Sequence, residues 1–386
     1  MRFSRSLVLL GLLSRGLTYT KLSDESLRSL SDPGDDFNIK TGALLAPILQ
    51  TRVPGTPGST AVLTHFVDFF QQSLPKWNLT FQNSTSKTPL SATNEVPFVN
   101  LIATRDPPWA TPGEVGRLAL VAHYDSKVEP KGFIGATDSA APCAMIMHAA
   151  RSIDEALTKK WAAMEAEGVG SDGFDGVEDH TGVQVLLLDG EEAFQTWTHT
   201  DSIYGARSLA EEWEQTMHPA VSTYRTPLDS IELFLLLDLL GSANPTVPSY
   251  FKTTHWAYQR MAEIESRLRS LKQFRSSPLI LLKCRHQVRK GAKKHRFFMK
   301  QTSTTTIGVE ILHMIPAPFP HVWHTIDDDG EHLDIDTVRD WAKLVTAFTA
   351  EWMDLDGFFD TQSSPSSKPS HQKKTGGHVD IDRTEL

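Results

Sequence analysis

Acidic side chains and histidines are placed around the ends of several apolar segments in this sequence of 386 residues. His123 and Asp125 follow one segment and are two residues apart, so they lie on the same face of an extended chain. Five further candidates follow apolar segments or lie in a glycine-initiated loop or an aromatic run: Asp138, Glu191, Glu192, Asp238 and His324. Two carboxylates, one imidazole and an open position make up a typical catalytic zinc site. The sequence therefore predicts a metal site with an adjacent carboxylate left free for proton transfer.

Each of these residues also has a simpler structural interpretation when it is taken alone. A single aspartate before a helix, such as Asp138, is usually the N-cap of that helix. The pair Glu191 and Glu192 fits a solvated turn, and His324 fits a surface position. Asp238 is different, because a charge within an apolar strand is costly unless it is paired or bound to a ligand. The combination of these positions favours a metal site over separate structural roles.

Apolar runs alternate with helical stretches along the chain and predict the elements that position these residues. We expect strands at residues 98–103, 118–123, 183–188, 233–237 and 309–315. We expect helices at residues 59–74, 140–164, 202–217, 256–271 and 335–352. This alternation predicts an α/β fold, a single three-layer α/β/α domain with a central, mostly parallel (mixed) twisted sheet. In such sheets the active site lies at the carboxyl ends of the strands.

The N-terminus has the features of a secretory signal peptide. Arg2 and Arg5 precede an apolar run at residues 7–13 that is too short to span a bilayer. Sequons at Asn78 and Asn83 are consistent with N-glycosylation in the same compartment. We therefore expect a secreted protein or one kept in the lumen of the endoplasmic reticulum or Golgi.

The composition along the chain divides it into three segments. We expect a signal peptide at residues 1–20, a catalytic domain at residues 21–357 and a disordered polar tail at residues 358–386. Residues 20–55 are polar with scattered proline and glycine, and we expect them to wrap the surface.

The composition argues against several classes of function. The sequence has 38 Lys and Arg against 47 Asp and Glu, and a net charge of −9 disfavours nucleic-acid binding. No segment after the N-terminus has the length and apolarity of a membrane span, so we expect no stable span. Cys143 and Cys284 are the two cysteines, and the sequence leaves open whether they form a disulfide.

Six segments of the chain resemble the glutaminyl-peptide cyclotransferases, a family related to zinc exopeptidases. They are residues 123–127 (HYDSK), 135–145 (GATDSAAPCAM), 189–197 (DGEEAFQTW), 201–207 (DSIYGAR), 236–245 (LLDLLGSANP) and 315–328 (IPAPFPHVWHTIDD). The resemblance implies one zinc ion per chain and cyclisation of N-terminal glutamine to pyroglutamate with release of ammonia. It implies peptide or protein substrates that begin with glutamine, or with glutamate as an alternative. We expect the protein to be a monomer.

The resemblance also implies a role for each site residue. Asp138, Glu192 and His324 correspond to the three zinc ligands. Glu191 corresponds to the general acid and base, and Asp238 to a second acid that steadies the substrate amine. Three aromatic residues would wall the substrate pocket: Trp197, Phe319 and Trp323. Three residues would support the site: His313, in a network behind Glu191, together with His123 and Asp125.

One segment of the family has no counterpart in this sequence. An Asp-Asp-His motif followed by Pro-Phe is expected shortly before Gly308, but that place holds residues 297–301, FFMKQ. The stretch from 266 to 309 contains no acidic residue, and much of it is basic. We hypothesise that residues 283–306 derive from a mispredicted exon or a shifted reading frame. If they are genuine, we expect weakened activity and an exposed, poorly packed loop.

Two other functions fit the same residues. A two-zinc aminopeptidase needs two histidines and three acids, which His123, Asp138, Glu192, Asp238 and His324 supply. The other alternative is a non-catalytic zinc-binding homologue that kept the fold but lost turnover. The aromatic residues around Trp197 and Trp323 favour the cyclotransferase, because they suit a closed pocket.

Overall fold

The computed structural model describes residues 20–170, 180–276 and 309–360. Its six strands form one mixed sheet in the order β1-β2-β4-β3-β5-β6. The strands are β1 (Asn78–Ser86), β2 (Val96–Arg105), β3 (Gly116–His123), β4 (Thr181–Leu188), β5 (Ile231–Leu237) and β6 (Ile311–Met314). Strand β2 runs antiparallel to β1 and β4, whereas β3, β4, β5 and β6 are parallel to one another.

Helices cover both faces of the sheet. They are α1 (Asp24–Ser29), α2 (Pro57–Ser73), α3 (Ala141–Ala166), α4 (Tyr204–Gln215), α5 (His255–Ser270) and α6 (Ile335–Trp352). The larger core lies between the sheet and α2, α3, α5 and α6, and the smaller core lies between the opposite face and α4. The predicted three-layer α/β/α fold with a mostly parallel sheet is therefore confirmed.

Local sequence accounts for the elements that were predicted well. Strands β3 and β4 are buried along almost their whole length, as expected for apolar strands covered on both faces. Helix α2 begins where the side chain of Thr56 accepts a hydrogen bond from the N–H of Ser59, with Pro57 in the first turn. Helix α6 begins in the same way at Asp334, whose side chain accepts from the N–H of Thr337.

Strand β1 is absent from the predicted elements. Its sequence, NLTFQNSTS, is mostly polar and contains only Leu79 and Phe81 as apolar residues. Its position comes from pairing with β2 along all nine residues rather than from an apolar pattern. Tertiary pairing therefore decides the structure of this segment.

Residues 20–55 contribute to the main core, although we expected them to wrap the surface. Leu27, Phe37, Leu45 and Ile48 are completely buried. These residues are irregularly spaced among polar ones, so no period of a helix or strand marks them in the sequence.

Several predictions lie outside the described residues: the signal peptide, all of the predicted tail beyond residue 360, the hypothesis about residues 283–306, and Cys284. Cys143 is buried, and its thiol lies 3.2 Å from the carbonyl oxygen of His123. Among the described helices, none combines the length and apolarity that crossing a membrane requires.

The buried position of Phe37 tests the contribution of the N-terminal segment to stability. We expect Phe37→Ala to lower the free energy of unfolding by about 3–5 kcal/mol, because it leaves a cavity in the main core. Val221 is 94% exposed, so Val221→Ala is a matched control that we expect to change stability by less than about 0.5 kcal/mol. Chemical denaturation of both variants measures the difference. Equal stability of the two variants would mean that residues 20–55 do not belong to the core.

Candidate active site

A cavity of about 350 Å³ opens at the carboxyl ends of the parallel strands. His123 ends β3, Asp189 follows β4, Asp238 follows β5 and His313 lies in β6. Ten of the eleven predicted site residues line this cavity: His123, Asp138, Glu191, Glu192, Trp197, Asp238, His313, Phe319, Trp323 and His324. The remaining one, Asp125, is completely buried beside the cavity lining. The sheet topology therefore gathers residues that are up to about 200 positions apart in the sequence.

Asp138, Glu192 and His324 form a cluster with the dimensions of a metal site. His324 Nε2 lies 3.4 Å from Asp138 Oδ2 and 3.5 Å from Glu192 Oε1. One donor atom of each residue lies within 4.8 Å of the other two. Ligands of a tetrahedral ion with bonds of about 2.0 Å are about 3.3 Å apart, so these separations fit such an ion.

The charges in this cluster also fit a cation. Burial alone would lower the pKa of His324, but the carboxylates of Asp138 and Glu192 raise it to about 9. Burial raises the pKa of Glu192, and the neighbouring charge of Asp138 raises it further. Glu192 Oε1 is buried and accepts no hydrogen bond from the described residues. A buried carboxylate oxygen that faces a second carboxylate and an imidazole is a suitable metal donor.

Asp138 does not cap helix α3, so its interpretation as an N-cap is wrong. The helix begins after Ala140 without a side-chain cap, and Asp138 points instead into the cavity. The turn before it starts at Gly135, which has a φ of +63°. A Cβ atom on Gly135 would lie 2.2 Å from the backbone oxygen of Asp138, so only glycine fits this turn.

Asp328 joins the turn of Asp138 to the segment that carries His324. Its Oδ1 accepts from the N–H of Thr137 at 2.7 Å, and its Oδ2 accepts from the Thr137 hydroxyl at 3.0 Å. Its backbone oxygen accepts from the N–H of Ala136 at 2.9 Å. Asp328 therefore fixes two candidate ligands relative to each other, although no role was predicted for it. Its place in the run HTIDD was a signal that it lies near the site.

Arg52 supports the same turn from the N-terminal segment. Its side chain is completely buried and donates to five backbone carbonyl oxygens, those of Ile48, Gln50, Tyr124, Ile134 and Gly135. The backbone N–H of Arg52 donates to Ser126 Oγ at 2.8 Å. The planar guanidinium thus connects the N-terminal segment, the end of β3 and the turn before Asp138. No sequence pattern identifies Arg52, because all five acceptors of its side chain are backbone atoms.

Asp125 positions the two glutamates that follow β4. Its Oδ1 accepts from the N–H of Glu191 and its Oδ2 from the N–H of Glu192, both at 3.0 Å. Oδ1 also lies 3.3 Å from His123 Nδ1. Burial raises the pKa of the Glu191 side chain well above that of an exposed glutamate; the charge of His123 opposes this shift, and Glu192 adds to it. Glu191 therefore faces the cavity as a carboxyl group with a strong affinity for protons.

A second group of potential ligands lies on the other side of Asp138. His123 Nε2 lies 2.9 Å from Asp138 Oδ1 and 3.8 Å from Asp238 Oδ1. One potential donor atom of each of these three residues lies within 4.8 Å of the other two. Burial would raise the pKa of Asp238, but the neighbouring imidazoles of His123 and His313 lower it instead. His313 Nε2 lies 3.8 Å from Asp238 Oδ2, which places His313 beside Asp238; a network behind Glu191 stays a prediction for His313.

Aromatic rings surround His324. The ring of Trp323 stacks on it with centroids 3.9 Å apart, and Phe319 contacts Trp323 edge-on at 4.8 Å. Phe133, which was not predicted, packs edge-on against His324 from a completely buried position. These contacts restrict the rotation of the imidazole and make one wall of the cavity apolar.

Trp197 lies in a loop that is held by a single carboxylate. Asp201 accepts hydrogen bonds from three successive backbone N–H groups, those of Phe194, Gln195 and Thr196. It also accepts from the Tyr204 hydroxyl at 2.7 Å. The position of Trp197 at the cavity therefore depends on the negative charge of Asp201.

The contacts of Arg52 predict an effect on metal affinity. We expect Arg52→Lys to weaken binding of a divalent metal about tenfold to a hundredfold, because lysine cannot span five carbonyl groups and the turn before Asp138 loses its support. Competition with a chelator measures the affinity, and circular dichroism shows whether the variant is folded. Arg28 is exposed on α1, so Arg28→Lys is the matched control. Unchanged affinity in a folded Arg52→Lys protein would contradict this role.

Comparison with known proteins agrees with this geometry. The family model "Peptidase family M28" matches residues 100–349. The glutaminyl-peptide cyclotransferase of Gloydius blomhoffii is 35% identical over 317 residues, covering 81% of this chain and 80% of that protein. The Bos taurus glutaminyl-peptide cyclotransferase is 34% identical, with 81% of each chain covered.

A solved structure extends the comparison to three dimensions. The crystal structure of Macrostomum lignano glutaminyl cyclase has a TM-score of 0.64 and 27% identity, and the match covers 88% of this chain and 98% of that one. The predicted resemblance is therefore confirmed. The chain belongs to peptidase family M28 and to the glutaminyl-peptide cyclotransferases.

Proposed function

We propose that this protein cyclises the N-terminal glutamine of peptides to pyroglutamate with one zinc ion held by Asp138, Glu192 and His324. The main support is one arrangement: three potential ligands whose donor atoms lie within 4.8 Å of one another, with the carboxyl group of Glu191 lining the same cavity. The relatives from Gloydius blomhoffii and Bos taurus, 35% and 34% identical over 81% of this chain, carry the name glutaminyl-peptide cyclotransferase. Zinc is the proposed metal because two carboxylates and one imidazole leave a fourth position open to substrate.

Proton transfer is the task that we assign to Glu191. A zinc ion bound to the three ligands would polarise the γ-carbonyl group of the substrate glutamine. The α-amine forms the new bond to the γ-carbon, and the bond from that carbon to the amide nitrogen breaks. Glu191 takes a proton from the amine and delivers it to the departing ammonia, so no net proton is consumed. An α-amine has a pKa of about 7.7–8.0, so a useful fraction is neutral near pH 7.

Asp238 and the aromatic walls would orient the substrate. The pKa of Asp238 is lowered by His123 and His313 against the opposing effect of burial, so this carboxylate stays charged and can accept hydrogen bonds from the amine. Trp197, Phe319 and Trp323 enclose the apolar part of the glutamine side chain. Excluding water from this pocket favours attack by the amine over hydrolysis.

A two-metal aminopeptidase is the alternative, and one observation favours it. His123, Asp138 and Asp238 form a second potential metal group that shares Asp138 with the first. A second zinc ion there would make Asp138 a bridging ligand, as the alternative requires. Counting the ions and identifying the product therefore separates the two functions.

The proposal includes the compartment in which the protein works. We propose the secretory pathway, either secreted or in the lumen of the endoplasmic reticulum or Golgi, and a monomeric protein. The support for this location is the basic and apolar N-terminus, together with the exposed positions of Asn78 and Asn83. The substrates would be peptides that begin with glutamine, or glutamate as an alternative.

The role of Glu191 predicts a selective loss of turnover. We expect Glu191→Gln to lower kcat by about a hundredfold or more, because the variant cannot carry the proton, while zinc stays bound. The assay incubates the purified protein with a glutamine-initiated peptide and follows the loss of ammonia by mass. Glu211 is exposed on α4, so Glu211→Gln is the control that should keep full activity. No ammonia loss with the zinc-loaded unaltered protein would refute the proposed reaction.

The proposed ligand set predicts how zinc content responds to substitution. We expect one zinc ion per chain in the unaltered protein, less than a tenth of that in His324→Ala, and one in His123→Ala. Elemental analysis after dialysis gives the ratio. The aminopeptidase would be favoured instead by three results: two ions per chain, loss of one of them in His123→Ala, and release of free amino acids from peptides.

A further inference from the structure

Strand β1 is an open edge of the sheet. It hydrogen-bonds to β2 along its whole length, and no strand of the described residues pairs with its other side. The N–H and C=O groups on that side can pair with a strand from another chain. An edge of this kind is an aggregation risk unless something protects it.

The amino-acid sequence of β1 lacks the usual protection. Proteins often guard such edges with charged residues, prolines or bulges. The nine residues NLTFQNSTS contain no charge and no proline, and they pair with β2 in continuous register without a bulge. Phe81, in the middle of the strand, is 47% exposed. A long, uncharged edge with an exposed aromatic residue is typical of segments that form intermolecular sheets.

Both N-glycosylation sequons of the sequence lie in this one strand. They are Asn78-Leu79-Thr80 and Asn83-Ser84-Thr85, and Asn244 is excluded because proline follows it. Asn78 and Asn83 are exposed, and they flank Phe81 on its two sides along the strand. Asn83 is two residues from Phe81, so the two side chains lie on the same face of β1.

We propose that Asn78 and Asn83 carry N-linked glycans and that these glycans protect the open edge of β1 against pairing with other chains. The inference rests on the secretory location in the proposed function. The side-chain amide nitrogen of each asparagine bonds to the anomeric carbon of an oligosaccharide on a lipid diphosphate. The amide loses one proton, and the lipid diphosphate leaves. A bulky, hydrated group at each position would occupy the space that an incoming strand needs.

The strand that the glycans keep from pairing with β1 belongs to a second copy of this chain. An identical β1 brings the same uncharged sequence, so no charge repulsion opposes the pairing of two such edges. The exposed ring of Phe81 would add apolar contact between the paired strands. Without glycans, we therefore expect self-association through β1.

The first test is occupancy. The full chain is produced in a eukaryotic secretory host and purified from the medium or the lumen, and its mass is measured before and after treatment with peptide-N-glycosidase. We expect two glycans in the unaltered protein, one in Asn78→Gln and one in Asn83→Gln. Asn94 is exposed and lies outside any sequon, so Asn94→Gln should keep both glycans.

The second test is association, measured by size-exclusion chromatography with light scattering. We expect the double variant Asn78→Gln/Asn83→Gln to show a several-fold higher dimer or aggregate fraction than the unaltered protein. Adding Phe81→Thr to the double variant should reduce that fraction, because it removes the exposed ring. Glutamine-cyclising activity per folded chain should not change, because no residue of β1 lines the cavity.

The outcomes separate this inference from the rest of the proposed function. A chain recovered from the lumen or medium with no mass change on glycosidase treatment would overturn the modification alone. A chain that stays in the cytosol with its N-terminus intact would overturn the location and the modification together. A double variant that remains as monomeric as the glycosylated protein would overturn the protective role.

Discussion

The crowding of carboxylates at the carboxyl ends of the strands is the constraint on which the rest of the structure depends. Asp125, Asp138, Asp189, Glu192 and Asp328 are all nearly or completely buried within this small region. Burying a carboxylate costs several kcal/mol unless hydrogen bonds or opposite charges compensate it. Much of the surrounding structure therefore supplies hydrogen bonds or opposite charges to these buried carboxylates.

Each buried acid has a different source of compensation. Asp125 accepts from two backbone N–H groups, and Asp328 accepts from the backbone and hydroxyl of Thr137. Arg52 contributes a buried positive charge behind the site while its donors are occupied by backbone carbonyls. Asp138 and Glu192 differ from these acids, because their oxygens face each other and His324 rather than a set of backbone donors. His123 contacts the other oxygen of Asp138 and Lys127 contacts the other oxygen of Glu192, so a divalent cation would compensate the oxygens that face each other.

The sequence was informative wherever an interaction is local or repeats with a regular period. The apolar runs of β3, β4 and β5 identified the sheet, and the residues after them identified the cavity. Helix α6 was predicted with its observed ends, 335 and 352, and the side chain of Asp334 caps its first turn. The side chain of Arg52, in contrast, makes its hydrogen bonds only to backbone oxygens. Every residue has such an oxygen, so the residue types in the sequence do not reveal these acceptors. Strand β1 was missed for a related reason, because its structure comes from its neighbour.

The N-terminal segment shows that the catalytic unit is larger than the family match. That match begins at residue 100, yet Arg52 lies 48 positions earlier and contacts the turn that presents Asp138. Phe37 and the leucines near it belong to the main core. The segment therefore acts on the site through packing and hydrogen bonds, without lining the cavity itself.

The hydrogen bond between His123 and Asp138 bears on how many metal ions the site accepts. His123 Nε2 and Asp138 Oδ1, 2.9 Å apart, are the two atoms that a second ion would need as ligands. A nitrogen that donates a proton to this oxygen cannot bind a metal at the same time. Asp125, on the opposite ring nitrogen, and Asp238, beside Nε2, both stabilise a protonated His123. In the proposed one-ion site His123 would keep its proton, and a second ion would bind only if His123 lost it.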